Sequence, residues 1–251
     1  MFSLAALVPS PPILVPELGG AVARTDSDPA APLRAAALKA VRTLDAAGEW
    51  LVVAVGDHEP GVDRSSGVGT FRGYGADVRV AMSDGPLLGV PESVPDPAWP
   101  LPALVAGWLR AQVAHEANVR VMFVDPESSV EECVSFGRAV RADLDGTRPA
   151  TGVLVIADGA ATLTTKSPGY LNPRAVAVQA ELDAALAAGD VPALRALDPE
   201  LCAQVAIAGR AAYQVLAGLF ADDRPIAETL YQDAPFGVGY HVGTWRPDGA
   251  R

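Results

Sequence analysis

Histidine is scarce in this chain: three occur in 251 residues, at positions 58, 115 and 241. Any imidazole-based site must draw on these three, and none precedes His58. Cysteine is scarcer still. Cys133 and Cys202 are too few for a disulfide framework and are not spaced as a metal knuckle, so two buried thiols in a reducing cytoplasm are expected. Basic residues number 19 against 30 acidic ones and are scattered singly, giving a net charge of −11 and a pI near 4.7. That balance argues against a nucleic-acid or anionic-membrane surface, because phosphate binding needs clustered Lys and Arg. No uninterrupted apolar run reaches the roughly twenty residues of a membrane helix. The apolar start carries Pro9, Pro11, Pro12 and Pro16 and no basic segment, which makes it a poor signal peptide; a soluble cytoplasmic protein is expected. The glycines between Gly67 and Gly75 are followed by no Gly-Lys-Ser/Thr, which excludes a phosphate loop, and no Gly-x-Ser-x-Gly elbow is present.

What the chain has in quantity is apolar sequence. Half of it is hydrophobic, enough to bury a large core, and no composition break divides residues 1–251 into two domains. Phe2 to Val8, Trp50 to Val55, Val119 to Val124 and Gly152 to Ala157 read as buried strands, and Asp77 to Met82 alternates as a half-exposed one. Ile226 to Tyr231 and Val238 to Trp245 are the last strands. Helical spacing covers about 33–47, 104–117, 128–144, 174–188 and 203–220, whereas 19–32, 61–75 and 86–102 read as loops. Strands separated by helices indicate an α/β domain, a central mostly parallel sheet flanked by helices on both faces. Ligands of such sheets bind beyond the carboxyl ends of the strands.

Polar residues concentrate at those ends. Ser10 follows the first strand, Asp57-His58-Glu59 the second and Asp158 the strand at 152–157, while Asp233 lies between the last two. One crevice could collect all of them. Two carboxylates flanking His58 would raise its pKa and hold its orientation, as groups around metals do. Asp158 and Asp233 have the alternative of capping turn amides. His115 reads as a solvated helix residue. His241 is either a buried structural histidine or, if it points toward the crevice, a stand-in ligand.

The segment Tyr231-Gln232-Asp233-Ala234-Pro235-Phe236-Gly237-Val238-Gly239-Tyr240, together with the opening Leu7-Val8-Pro9-Ser10-Pro11-Pro12-Ile13-Leu14, resembles the class III extradiol ring-cleavage dioxygenases, the LigB superfamily that also contains the MEMO proteins. The likeness runs end to end. It implies an Fe(II) or other divalent-metal site of two His and one carboxylate, with a further His as acid/base, a small aromatic substrate and a homo-oligomer. On that resemblance His58 and Asp233 are the metal ligands, with Gln232 replacing Asp233 if the loop slips by one residue. Ser10 stands where the first ligand His is expected and Ala161 where the proton-transfer His is expected. The site is therefore read as degenerate, with oxygenase activity altered or lost and possession of a cofactor left open. Two alternatives stay open. One is an active non-haem dioxygenase using His58, Asp233 and either His241 or Glu59. The other is a hydrolase or lyase using Asp57, Glu59, Asp158 and Asp233 alone.

Overall fold

The structure is a computed structural model that describes residues 2–25, 27–45, 47–56, 67–83, 94–114, 116–146 and 151–248. Asp57, His58, Glu59 and His115 therefore lie outside the described residues. The first strand, β1 (Ala5–Val8), is buried throughout. The prolines after it forbid a helix and impose short turns at Pro12–Leu14, Pro16–Leu18 and Val22–Arg24, inside what reads as plain loop. This stretch is pinned by Arg34, which donates to the Leu14 and Ile13 carbonyls at 2.7 and 3.1 Å and pairs with Asp28 at 2.8 Å.

Arg34 belongs to α1 (Ala31–Arg42), which stops sooner than its apolar spacing suggests. There follow β2 (Glu49–Val55), the short pair β3 (Val68–Thr70) and β4 (Arg79–Ala81), and α2 (Leu101–Val113). Residues 68–70, expected as loop, are strand because they pair antiparallel with β4. Next come β5 (Asn118–Val124), α3 (Val130–Gly146), β6 (Thr151–Ile156) and α4 (Ala175–Ala188). The Ser129 hydroxyl accepts from the Glu132 amide while the Glu132 carboxylate reaches back to Ser129, a reciprocal cap that starts α3.

The helix expected over 203–220 is in fact two, α6 (Pro199–Gln204) and α7 (Arg210–Leu219), preceded by the short α5 (Val191–Arg195). Ala206 at φ 55° breaks the run, a left-handed turn that apolar periodicity does not announce. The chain closes with β7 (Ile226–Asp233) and β8 (Tyr240–Arg246).

The main sheet has the order β5-β2-β6-β1-β8-β7. Its first four strands are parallel, and β8 runs antiparallel to both β1 and β7. The α/β expectation holds in this mostly parallel form. Strand alternation sends Ala6, Val8, Trp50, Leu154, Tyr240 and Val242 to the face covered by α1 and α2. Ala5, Leu7, Val153, Val155 and Trp245 go to the opposite face, under α3, α4 and α7. Among the described residues no helix is long and apolar enough to cross a membrane.

The tightest contact among the helices is between α3 and α7, where two glycines let the backbones touch. A Cβ at Gly137 would lie 2.2 Å from the Val215 carbonyl oxygen, and one at Gly218 would lie 2.3 Å from that of Val134. Backbone cannot yield as a side-chain tip does. Gly137→Ala is therefore expected to cost about 2–3 kcal/mol in urea unfolding. Gly146→Ala, at the open end of the same helix with nothing near its Cβ, should stay within about 1 kcal/mol of wild type.

Candidate functional site

Because β1 and β6 are parallel neighbours, their carboxyl ends emerge side by side. The chain beyond β6 then bends across the end of β1 to reach the start of β8: Gly159 donates to the Gly239 carbonyl at 2.9 Å, and Gly239 donates to that of Ala160 at 2.9 Å. The crossing requires glycine on both sides. The Gln179 amide of α4 fills the space where either Cβ would be, within 2.4 Å of both positions, and accepts from the Ala160 amide at 2.7 Å.

This fold-over brings Asp158 onto Ser10. The Ser10 hydroxyl donates to Asp158 Oδ2 at 2.7 Å, and the Ser10 amide donates to Oδ1 at 3.1 Å. Ser10 is buried, whereas Asp158 keeps one edge in contact with solvent while protein encloses the rest of its carboxyl. Burial pushes the Asp158 carboxyl above the ordinary carboxylate range, although both Ser10 hydrogen bonds pull the other way. Among the described residues no cation contributes to its charge balance.

Tyr240 stands next to this pair at the head of β8. Its ring packs 6.5 Å from Phe236 at an interplanar angle of 59°, and its hydroxyl is raised in pKa by burial, then by the charge of Asp158 and by Tyr231. Tyr231 sits one step further along, on the face of β7 that carries Asp233, and is raised by burial and then by Asp233. Asp158, Tyr240, Tyr231 and Asp233 thus form a continuous run of oxygen-bearing groups on the face covered by α1 and α2. Asp233 is exposed and accepts from its own following amide, Ala234, at 2.7 Å.

The turn between β7 and β8 is held from the same side. The Gly237 carbonyl accepts from the Ser167 hydroxyl at 2.7 Å and from the Leu163 amide at 3.3 Å. Ala161, in that clamping loop, packs half-buried against the same apolar cluster as Tyr240.

The sequence-predicted residues divide accordingly. Ser10 and Asp158 meet, and Asp233 joins them on one face of one sheet end, whereas Asp57, His58 and Glu59 lie outside the described residues. His241 points the other way. It lies between Tyr240 and Val242, so period-2 alternation turns it to the opposite face, and its buried Nδ1 has no hydrogen-bond partner among the described residues. Tyr231 and Tyr240, the two ends of the segment that carries the family resemblance, stand beside the Ser10–Asp158 pair. Gln179 carried no local signal at all.

A cleft of about 920 Å³ opens at the other end of the sheet, lined among others by Glu49, Trp50, Asn118, Arg120 and Asp143. It is wide, and the charged residues named face solvent, so the Ser10–Asp158 crevice, with its enclosed carboxyl, is the better candidate.

No protein-family model matches the chain, and no curated protein matches it. Among solved structures it is similar to an uncharacterized protein, JW3007, from Escherichia coli K12: TM-score 0.53, 14% identity, covering 97% of this chain and 99% of that one. At that identity the likeness is one of fold.

His241 also sets a pH dependence. Burial lowers its pKa from 6.5 to about 4, so the folded state holds the neutral ring. Between these values the unfolded chain binds the proton and the folded chain does not. The contribution is full above pH 6.5 and is lost as pH falls toward 4, on the order of 3 kcal/mol in all. Urea unfolding from pH 7 to pH 4 should show His241→Phe losing about that much less stability than wild type. An unchanged acid-side slope, or an NMR titration placing His241 near 6.5, would refute the assignment.

Proposed function

We propose that this chain is a divergent member of the class III extradiol dioxygenase superfamily whose crevice binds a small aromatic molecule without the ring-cleavage chemistry of that family. The observation that carries the reading is the engagement of Ser10. At the position where the resemblance expects the first metal-binding imidazole, the side chain is a hydroxyl committed to Asp158 at 2.7 Å. The α/β architecture, with its polar groups gathered at the carboxyl ends of the strands, supports the same reading.

The described residues do not fit an Fe(II) centre of two imidazoles and a carboxylate. Those on the crevice face offer only oxygen: Ser10, Asp158, Tyr231, Tyr240 and Asp233. A hydroxyl and phenols are poor replacements for imidazole at iron. His241 is on the wrong face of the sheet, and among the described residues no group of three His, Cys, Asp or Glu is arranged to hold a metal. Ala161, which the resemblance places under the acid/base histidine, has a methyl side chain that transfers no proton.

What remains is a set of hydrogen-bonding and aromatic groups, half-buried Asp158, Tyr231 and Phe236 beside buried Ser10 and Tyr240, of the kind that holds small molecules. Anaerobic loading with Fe(II), followed by metal analysis and oxygen uptake with catechol, tests the reading. We expect well below one iron per chain and no uptake. One equivalent of iron with turnover, both lost in His58→Ala, would instead establish an active dioxygenase with a substituted ligand set.

A further inference from the structure

We propose that the crevice selects a small aromatic ligand carrying a positively charged amine, with the ammonium seated between Asp158 and Tyr240 and the ring against Phe236 and Tyr231. The inference rests on the reading of the crevice as a binding site and adds the charge of what it binds.

Two independent observations support it. The first is an imbalance of charge. Asp158 is enclosed and is offset, among the described residues, only by the two neutral donors of Ser10. Asp233 at the rim adds a second carboxylate, and the flanking phenols add no positive charge. Arg210, buried elsewhere in the molecule, shows the contrast: its guanidinium is consumed by the Ser128 and Pro126 carbonyls and the Gln214 amide oxygen. Among the described residues, the crevice has carboxylates that lack a cation.

The second observation is Tyr240. The residue is only 4% exposed, yet among the described residues its hydroxyl has no hydrogen-bond partner and is not sealed from solvent. This deeply held phenol stands at the head of β8, beside the exit of β1 that carries Ser10, and near enough to Asp158 for that charge to raise its pKa. Its oxygen can accept from an ammonium that a carboxylate neutralises, which needs several acceptors for its three protons. Tyrosine faces attract cations as well, so Tyr231 and Tyr240 favour the same ligand class. The net charge of −11 concentrates cations near the surface before they enter.

Neutral and anionic ligands fare worse. A neutral alcohol leaves the carboxyl uncompensated, and a carboxylate meets two groups of its own sign. The test compares three near-isosteres, benzylamine, benzyl alcohol and benzoate, by calorimetry on EDTA-treated protein at low salt. Benzylamine is expected to bind at least about tenfold more tightly than either of the others, the usual size of a charge-assisted hydrogen bond. Asp158→Asn, which preserves the shape, keeps one oxygen to accept from the Ser10 amide and lets its NH2 donate to the Ser10 hydroxyl oxygen, should abolish that preference, and Tyr240→Phe should weaken benzylamine severalfold. Asp233→Asn should have a smaller effect that shrinks as salt is added.

Equal binding of amine and alcohol, tightest binding of benzoate, or no binding of any of the three would overturn the proposal. So would a preference that survives in a folded Asp158→Asn. Should that variant fail to fold, Tyr240→Phe decides, since an undiminished amine affinity there refutes the seat described. Removal of metal keeps the outcome separate from the oxygenase question: iron-dependent turnover would sink the loss of ring cleavage and leave the amine preference to stand or fall by itself.

Discussion

The candidate site depends on one constraint: the chain leaving β6 must cross the end of β1 to reach β8. Two backbone hydrogen bonds between Gly159, Ala160 and Gly239 make that crossing, and Gln179 fills the space that two absent side chains leave. Once the crossing is made, Asp158 has nowhere to go except over Ser10. The carboxylate is therefore placed by the path of the backbone, and its enclosure follows from the same path. The site's electrostatics, an acid pushed toward its neutral form and two phenols held in theirs, are consequences of topology acting on burial.

Much of this was legible in the chain. Apolar runs flanked by helical spacing identified six main-sheet strands and the larger helices, because β-branched runs and period-3.6 patterns report burial directly. Ser10 and Asp158 were legible as strand-end groups, since parallel neighbours must present their carboxyl ends together. That they bond to each other was not, because it requires knowing that β1 and β6 are adjacent. Tyr240 and His241 illustrate the same limit. Either could face the crevice until the register of β8 is known, and one residue of register decides which does. The break at Ala206 had no proline or glycine at the break to announce it, and Gln179 acts across a sequence separation of 19 residues.

The resemblance to extradiol dioxygenases organised the reading around His58 and Asp233, and the structure shifts the weight. His58 falls in a stretch outside the described residues, whereas Asp233 is present, exposed and already bonded to its own following amide. The groups that geometry brings together are Ser10, Asp158 and Tyr240. Of these, Ser10 is a departure from the family pattern. A departure from a motif is uninformative as a mere mismatch, but here the replacement side chain makes a specific bond to a second strand end.

The energetics of that bond say why it bears on function. A desolvated carboxyl costs stability, and an apolar pair of similar volume in its place would be neutral or more stable. The crossing does not need the carboxyl, because backbone hydrogen bonds and the neutral Gln179 already hold it. Among the described residues Asp158 accepts two hydrogen bonds, both from Ser10, of the four or so a carboxylate can take, and the nearby Tyr240 hydroxyl has no partner. Arg210 is the counterexample within the same molecule, a buried charge engaged by three acceptors and so explained by structure alone. A polar group that is enclosed, costly and only half used, beside a second one in the same condition, is arranged for something that arrives from outside.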